Sequence, residues 1–350
     1  MNYQEIVAAM VTPLCLWYNN NKRVLPWRED KDPYRVWVSE IMLQQTRVEA
    51  ALPYYLRFLK ALPTVEELAS APMEQLMKLW EGLGYYSRVR NMQKAAQVIT
   101  DQYGGRFPAD VKALESLPGI GDYTAGAVGS IAFGLPTPAV DGNVLRVLAR
   151  LCCDDADIML PQTKKRVKTA LSAVYPLAEN CSDLTQAIME LGALVCIPGV
   201  PKCSSCPLQS LCQAKLQGKE QDLPVRNTKK EKKLIERTVF LLVHEGKVAI
   251  QKRPPTGVLA DMWEFPTVEK YITDDAIPKV MEKWCISGAV RPFIHSRHVF
   301  THLVWEMNSY YVCVTKENSG FLWVPFAELK RDIALPSAMK PFLQAMEEHM

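Results

Sequence analysis

Hydrophobic residues follow two different spacings along the chain. Over roughly the first two hundred residues they recur at the spacing of an α-helix. Proline and glycine interrupt this pattern at short intervals, so we expect a series of short helices joined by tight connections. The clearest helical face after Ser39 consists of Ile41, Val48, Leu52, Tyr55 and Leu59.

From residue 237 onward the hydrophobic period becomes two, which is typical of half-buried β-strands. Two such runs flank His244-Glu245-Gly246, so we expect a β-hairpin there. The predicted strands are Thr238–Val243, Lys247–Gln251, Val299–Met307, Tyr310–Val314 and Phe321–Val324, and the predicted helix of this region is Thr273–Cys285.

The two patterns predict a multidomain protein. Residues 213–236 lose the helical period and gain charge, with a basic run at 226–233, so we expect an exposed linker there. The prediction is an all-α domain over 1–212, a basic linker over 213–236 and a smaller α+β domain over 237–350.

The composition is that of an ordinary globular protein. Hydrophobic residues make up 48% and charged residues 23% of the 350 residues, which excludes a disordered chain, a fibre and a coiled coil. No apolar run approaches the roughly 20 residues that cross a bilayer, and the first residues lack a secretory signal pattern. The net charge of +3 does not by itself argue for nucleic-acid binding. We expect a cytoplasmic protein without membrane contact, associated with the nucleoid if its source is bacterial.

Four of the ten cysteines are crowded into one short segment with the spacing C-x6-C-x2-C-x5-C. In a reducing compartment, thiolates this close indicate a metal site rather than disulfides. One compact loop of four thiolates favours a four-iron cluster, although spacing alone leaves zinc open. A structural staple without redox chemistry is the simplest role for it. The predicted ligands are Cys196, Cys203, Cys206 and Cys212, and Lys202 beside them could reach a phosphate.

A glycine-containing turn precedes a predicted helix at Leu117-Pro118-Gly119-Ile120-Gly121. Gly119 and Gly121 leave backbone N–H groups open at the start of a helix, where the helix dipole favours an anion. A turn of this kind can hold a DNA phosphate without reading sequence. The pattern through Ala125 resembles the helix-hairpin-helix of base-excision DNA glycosylases.

Further motifs extend this resemblance over nearly the whole chain. Asp141 follows the hairpin and the cysteine loop follows Asp141, as in the helix-hairpin-helix superfamily with an iron–sulfur loop. The more specific resemblance is to the MutY-type adenine DNA glycosylase family, and its motifs are Trp37–Thr46, Gly82–Tyr86, Trp263–Pro266 and Phe300–His302. This resemblance implies a six-helix module at about 27–135, an iron–sulfur module from 1–26 and 136–212 with one 4Fe-4S cluster, and a Nudix-like lesion-recognition domain.

The resemblance implies two catalytic carboxyl groups. Glu40 would protonate the adenine and activate water, and Asp141 would stabilise the cationic sugar, so their pKa values must differ. Asn143 and Tyr123 would support this pair by hydrogen bonds. From pattern alone, Glu40 near the start of a helix belongs to a solvated polar face with Gln44 and Arg47, and Asp141 is a helix cap.

Tyr123 distinguishes two classes of glycosylase. Relatives that also cut the DNA backbone carry a lysine at this step of the hairpin, which forms a Schiff base with the sugar. A phenol cannot form that bond, so we expect base removal without efficient strand cleavage.

The family also implies residues that bind DNA around a flipped adenine. Gln45, Leu83 and Tyr85 would wedge and stack, and Thr46 would contact the opposite strand. Trp27 and Arg28 would line the adenine pocket, and the Gln186 amide matches the polar edge of adenine. Each of these side chains could instead serve ordinary packing.

The C-terminal domain would recognise 8-oxoguanine opposite the adenine through a Phe-Ser-His loop, which here reads Phe300-Thr301-His302. Threonine keeps the hydroxyl but adds a methyl group that restricts its rotamer. The Arg-Glu and Glu-Glu run that binds magnesium in Nudix hydrolases is absent from the sequence, which argues against nucleotide hydrolysis.

The sequence therefore predicts a monofunctional, monomeric adenine DNA glycosylase acting on double-stranded DNA with A·8-oxoguanine or A·G mispairs. A related glycosylase with lyase activity, a non-catalytic lesion-binding or redox-sensing protein, and a nucleotide hydrolase remain as alternatives.

Overall fold

The computed structural model describes residues 1–227 and 231–349, so part of the predicted basic run lies outside the described residues. The chain divides into two compact units. The first contains Met1–Ser70 and the chain from Asn91 up to residue 227. The second contains Ala71–Arg90 and the described residues from 231 onward. The segment Ala71–Arg90 is thus grouped with the C-terminal domain, although we predicted it within the six-helix module.

Helices account for the chain up to residue 216. They are α1 Tyr3–Ala9, α2 Val11–Asn21, α3 Pro33–Leu43, α4 Val48–Ala61, α5 Val65–Ser70, α6 Met73–Leu79, α7 Ser87–Tyr103, α8 Val111–Glu115, α9 Asp122–Phe133, α10 Gly142–Leu151, α11 Pro161–Val174, α12 Cys181–Leu194 and α13 Gln213–Leu216. Short 3-10 turns lie at Pro26–Arg28, Tyr175–Leu177 and Cys203–Ser205. No helix among residues 1–227 and 231–349 is long and apolar enough to cross a membrane.

The predicted apolar face after Ser39 spans two helices rather than one. Helix α3 ends at Leu43, Gln45 has a positive φ of 60°, and α4 begins at Val48. A left-handed residue ends a helix because it redirects the chain. The break exposes Gln45 on a tight turn at the end of α3.

The predicted linker at 213–236 is also different in the structure. Ala214 and Leu223 are buried, and the backbone N–H of Ile158 donates to Val225 O at 3.1 Å, so this stretch packs on the helical unit. At its other end, residues from Lys233 onward already belong to the first strand. Apolar side chains at single, irregular positions give no periodic signal, which is why the packing was missed.

The C-terminal domain is built on a mixed sheet with α-helices. Its strands are β1 Lys233–His244, β2 Lys247–Lys252, β3 Trp263–Glu264, β4 Thr267–Val268, β5 Gly288–Val299, β6 Leu303–Val314 and β7 Leu322–Pro325, and its helices are α14 Ile277–Lys283, α15 Phe326–Asp332 and α16 Lys340–Glu347. Within the described residues the strand order is β3-β2-β1-β6-β5, with β4 paired to β1 and β7 paired to β2. The α+β prediction and the Thr273–Cys285 helix are confirmed.

The β1–β2 hairpin is confirmed, with His244 opposite Lys247. The long central strands β1 and β6 pair in parallel, from Lys233↔Leu303 to Val243↔Cys313. The predicted strand Val299–Met307 is confirmed over Leu303–Met307, where β6 begins, but residues 300–302 form the turn between antiparallel β5 and β6. Strand β5 itself was not predicted. The triplet Phe300-Thr301-His302 therefore lies at the tip of a hairpin rather than along a strand.

Candidate active site

A cavity of about 490 Å³ opens within the helical unit, between α3, α9, α10 and α12. It has the size of a small-molecule pocket, with polar side chains converging on it. The sequence-predicted residues that line it are Trp27, Arg28, Glu40, Thr46, Tyr123, Asp141, Asn143 and Gln186.

Glu40 lies in the last turn of α3 and is only 6% exposed. Its Oε2 accepts a hydrogen bond of 2.7 Å from the hydroxyl of Tyr123 on α9. Burial raises the pKa of Glu40 to about 7, the Tyr123 bond opposes this rise, and the charge of Asp141 adds to it. A carboxyl group with a pKa near neutrality can deliver a proton at physiological pH.

The structure corrects the pattern-based interpretation of Glu40. It is not near the start of a helix, and it does not share a solvated face with Gln44 and Arg47, which follow the helix. Asp32 caps α3 by accepting from Arg35 N, so the helix begins well before Glu40. Every residue from Val36 to Met42 is buried, so this part of α3 has no polar face.

Asp141 is the N-cap of α10, as the pattern predicted, and it also lines the cavity. Its Oδ1 accepts from Val144 N at 2.8 Å and its Oδ2 accepts from Asn143 Nδ2 at 2.8 Å. Burial raises the pKa of Asp141, while these hydrogen bonds act to lower it. The carboxylate is thus held in one orientation at the positive end of a helix.

The amide of Asn143 is oriented by Arg146, one turn further along α10. Arg146 Nη2 donates to Asn143 Oδ1 at 2.9 Å and to Gly192 O at 2.9 Å. Because Oδ1 is occupied by this donor, the NH₂ group of Asn143 faces Asp141. A side chain at Gly192 would lie 2.9 Å from Asn143 Cβ, so glycine allows this close packing of α12 on α10.

Glu190 is a cavity residue that the sequence analysis missed. Its side chain is 1% exposed and accepts from Arg23 Nε at 2.9 Å and from Arg28 Nη2 at 2.8 Å. Burial alone would raise the pKa of Glu190, but the hydrogen bonds from these two arginines lower it to about 2. Among the carboxyl groups of this cavity, the pKa of Glu190 is thus lowered to about 2, whereas that of Glu40 is raised to about 7.

The predicted phosphate-binding turn has the expected backbone. Gly119 has a φ of +76°, and a Cβ there would lie 2.6 Å from Asn91 Cβ. Both the backbone conformation and the close contact therefore favour glycine at this position. Gly121 has ordinary backbone angles and is the N-cap of α9, with open space where a Cβ would project. The space in front of this helix start can admit an anion.

In the second unit, the predicted residues Leu83 and Tyr85 lie on one turn. Trp80 Nε1 donates to Gly84 O at 3.0 Å, and Arg88 Nη2 donates to Leu83 O at 3.1 Å. Leu83 is buried, whereas Tyr85 is 45% exposed, and its hydroxyl lies 2.5 Å from Thr301 Oγ1. Two residues chosen from distant motifs are therefore in contact.

Comparison with known proteins agrees with this geometry. A family model described as HhH-GPD superfamily base excision DNA repair protein matches residues 38–176, and a NUDIX domain model matches residues 238–345. Adenine DNA glycosylase of Mus musculus is 34% identical over 98% of this chain and 79% of its own length. The Buchnera aphidicola (subsp. Baizongia pistaciae) protein of the same name is 32% identical over 88% of each chain.

The chain belongs to the adenine DNA glycosylase family. It is a base-excision DNA N-glycosylase. Among solved structures, a non-covalent endonuclease III–DNA complex matches 62% of this chain and 99% of its own, with a TM-score of 0.52 and 26% identity. The predicted fold class, a helical glycosylase domain joined to a Nudix domain, is confirmed.

The four predicted cysteine ligands of this glycosylase line one small cavity, together with Arg150 and Lys202. All four thiols are free, and burial raises the pKa of Cys206 to about 11, with the other three thiols adding to the rise. No trio of His, Cys, Asp or Glu in the described part of the chain is arranged as ligands of a metal ion. Four mutually interacting thiols around one space nevertheless fit a group bound by thiolates.

Sequence reasoning could have found Glu190 from two local signals. The first signal is the pair Arg23 and Arg28, which lies shortly before α3. The second is the spacing of Gln186 and Glu190, which are four residues apart on α12 and therefore share a helix face. Gln186 lines the cavity and donates to Ser182 Oγ at 3.1 Å. In this glycosylase, Gln186 and Glu190 of α12 thus point into the cavity that Glu40 and Asp141 also line.

Proposed function

We propose that this glycosylase removes adenine mispaired with 8-oxoguanine, and with guanine, without cutting the DNA strand. The observation that carries the proposal is the cavity that brings the buried Glu40–Tyr123 hydrogen bond together with Asp141. Adenine must leave the duplex to enter this cavity. Trp27, Arg28 and Gln186 are proposed to surround the flipped base.

In the proposed reaction, Glu40 donates its proton to the adenine, and the N-glycosidic bond breaks with the electron pair leaving on the base. Asp141 faces the resulting oxocarbenium sugar as a carboxylate and stabilises its positive charge. Glu40, now ionised, accepts a proton from the attacking water. Tyr123 and Asn143 are proposed to keep the two carboxyl groups in position.

The absence of strand cleavage is proposed from the residue at position 123. A Schiff base with the sugar requires an amine, and the hydroxyl of Tyr123 is instead engaged by Glu40. The alternative of a bifunctional lyase predicts a covalent complex that borohydride traps.

The proposed reader of the opposite base is the hairpin turn Phe300-Thr301-His302. Thr301 and His302 are exposed at its tip, and the hydroxyl of Thr301, which lies 2.5 Å from the Tyr85 hydroxyl, retains a further hydrogen-bonding site for a purine edge. Tyr85, Leu83, Gln45 and Thr46 are proposed to fill and flank the gap left by the flipped adenine. The exposed ring of Tyr85 beside Thr301 supports this role.

Cys196, Cys203, Cys206 and Cys212 are proposed to hold one 4Fe-4S cluster. When bound, the cluster would supply a rigid crosslink between the end of α12 and the loop that follows it. Lys202 within this loop is proposed to contact a DNA phosphate. Iron and sulfide analysis of the purified protein tests the cofactor directly, and zinc without iron would contradict it.

The decisive experiment uses single-turnover incubation with duplexes that contain one 8-oxoguanine·A, G·A or T·A pair. Strand breaks at adenine that appear only after hot alkali, and fastest for the 8-oxoguanine duplex, are the expected result. Breaks without alkali would indicate a lyase. Tight binding of the lesion duplex without any product would indicate a lesion-binding protein instead. Glu40→Gln is the control for contaminating activity.

A further inference from the structure

The Phe300-Thr301-His302 turn is anchored by one side-chain contact to the domain core. The Phe300 ring packs edge-on against the ring of Trp305 on β6, with centroids 4.8 Å apart and an angle of 66°. Trp305 is only 2% exposed and belongs to the core beneath the sheet, whereas Thr301 and His302 are in solvent. The contact therefore connects a buried residue to the first residue of an exposed turn.

The backbone of the turn is held mainly at its base. Phe300 N donates to Leu303 O at 2.8 Å, which closes the hairpin, and Lys232 Nζ donates to Phe300 O at 2.8 Å. Both bonds involve Phe300 itself. Two further ties hold the turn, a hydrogen bond from Lys233 N to His302 O at 3.3 Å and the contact between the Tyr85 and Thr301 hydroxyls. Phe300 sets the path of the chain into Thr301, and its ring lies against Trp305.

Trp305 is in turn fixed by two buried arginines. The Arg237 guanidinium lies 4.0 Å and that of Arg253 lies 5.1 Å from the centre of the Trp305 ring. Arg253 Nη1 donates to the buried carboxylate of Glu264 at 2.7 Å, and Arg237 Nη2 donates to Glu269 at 2.9 Å. Two cations beside one indole ring hold it by attraction to its π-face.

The Trp305 ring stabilises the buried Arg237 guanidinium. Arg237 is 1% exposed, and its Nε and Nη1 find no hydrogen-bond acceptor among the described residues. A buried N–H group without an acceptor is costly. The electron-rich face of Trp305, close to the guanidinium, offsets part of that cost. The Trp305 ring therefore contacts both the buried Arg237 guanidinium and the Phe300 ring at the start of the turn.

We propose that Trp305 is a positioning residue that sets the orientation of the 300–302 turn and thereby determines how strongly the enzyme prefers 8-oxoguanine over guanine opposite the adenine. This inference rests on the proposed role of Thr301 in reading that base. Trp305 is buried and does not touch the DNA. It acts through Phe300, so its loss changes discrimination between duplexes and leaves the chemistry in the catalytic cavity intact.

The test compares Trp305→Leu and Trp305→Phe with a matched control, Trp323→Leu. Trp323 lies on β7 of the same domain, in a different core cluster, and packs near His244 rather than the turn. For each protein we would measure single-turnover excision from 8-oxoguanine·A and G·A duplexes, at subsaturating and saturating enzyme. The preference is the ratio of the two apparent second-order rate constants.

For Trp305→Leu we expect the preference to fall about five- to tenfold, the size of a lost aromatic contact and its support. The saturating rate on G·A should stay within about twofold of wild type. Trp305→Phe keeps a ring against Phe300 and should restore most of the preference. Trp323→Leu should keep the wild-type ratio.

A wild-type preference in Trp305→Leu overturns the inference. A loss of preference in Trp323→Leu as large as that in Trp305→Leu also overturns it, because it would indicate general loosening of the domain. If Trp305→Leu does not fold, Phe300→Leu, which removes the ring contact from the other side, decides in the same assay, and an unchanged ratio in it overturns the inference. A wild-type enzyme without any preference contradicts the proposed lesion reading. Loss of preference in Thr301→Ala but not in Trp305→Leu contradicts only the role of Trp305.

Discussion

Tyr123 donates a hydrogen bond of 2.7 Å to Oε2 of Glu40, and this bond opposes the effect of burial on the carboxyl group. Burial favours the neutral acid, whereas a donor to the carboxylate favours the charged form. The pKa of Glu40, about 7, is the balance of the two. Tyr123 therefore tunes the acid as well as orienting it.

The pH dependence of excision should report this balance. Because Glu40 must be protonated, the single-turnover rate should fall as the pH rises through about 7. Tyr123→Phe removes the opposing hydrogen bond, so the pKa of Glu40 and the alkaline limb should move to higher pH. A pH–rate profile of both proteins checks this, and an alkaline limb unmoved in Tyr123→Phe would contradict the role of Glu40.

The stability of the enzyme should also depend on pH through Glu40. The pKa of Glu40 is higher in the folded state, about 7, than its ordinary value of 4.5, so its contribution is full below about 4.5 and is lost as the pH rises through 7. Glu40→Gln cannot ionise. Its free energy of unfolding should therefore rise relative to that of wild type, by up to about 3 kcal/mol, as the pH rises over this range. Thermal unfolding midpoints at about pH 5 and pH 8 measure the difference. If the difference between the two unfolding midpoints does not grow from about pH 5 to pH 8, Glu40 is not a buried group that titrates in this range.

Asp141 combines a structural and a chemical role, which two substitutions separate. Asp141→Asn keeps an oxygen that accepts from Val144 N but loses the acceptor of Asn143 Nδ2, so stability should fall by about 1 kcal/mol, while the excision rate should fall by about 10²- to 10⁴-fold with the loss of charge. Asp141→Ala removes the cap as well and should cost about 1 kcal/mol more stability. Single-turnover rates and urea unfolding of both variants test the separation. Near-normal activity of Asp141→Asn would exclude a charge requirement.

The two glycines of the predicted phosphate-binding turn should respond differently to substitution by alanine. Gly119→Ala meets Asn91 and an unfavourable φ, so it should lower stability by about 1–2 kcal/mol. Gly121→Ala fits the folded protein, but its methyl group occupies the space before α9. We expect normal stability and weaker DNA binding, measured by fluorescence anisotropy in the Glu40→Gln background. Unchanged binding by Gly121→Ala would argue against a phosphate at this helix start.

The hydroxyl of Thr301 should contribute to lesion preference. Thr301→Ala should lower the preference for 8-oxoguanine·A over G·A by about fivefold, the size of one hydrogen bond, whereas Thr301→Ser should keep it. Tyr85→Phe removes the bond to Thr301 but keeps the ring, so it serves as the control for that contact. The measurement is the ratio of excision rate constants on the two duplexes. Equal ratios in wild type and Thr301→Ala would show that the hydroxyl does not contribute to the preference.

Local signals predicted the features that depend on neighbouring residues. The β1–β2 hairpin follows from two alternating runs around His244-Glu245-Gly246, and the cap at Asp141 follows from an aspartate directly before a helix. The break after α3 was missed because Gln44-Gln45-Thr46-Arg47 contains neither glycine nor proline. The turn at 300–302 was hidden for the same reason, since strand-forming residues continue on both sides of it.

Contacts distant in sequence were beyond these signals. Gln186, on the same face of α12, could have indicated Glu190 as a cavity residue. Its ion pair with Arg23, however, spans 167 positions, and no local pattern indicates that pairing. The burial of Glu40 depends on the packing of all of α3, which a helical period cannot reveal. Only the family motif indicated that this glutamate is functional. The structure adds that this carboxyl group is buried and accepts a hydrogen bond from the Tyr123 hydroxyl.

The cap at Asp141 has a consequence for how this gene changes over generations. Folding requires only a short acceptor side chain at the start of α10, so asparagine or serine would satisfy it. The proposed reaction requires the negative charge in addition to the cap. Lineages that no longer need excision should therefore drift first among these capping residues, with the helix intact. Aspartate at this position would then record continued demand for DNA repair, whereas the mere presence of a cap would record only the demand for a folded protein.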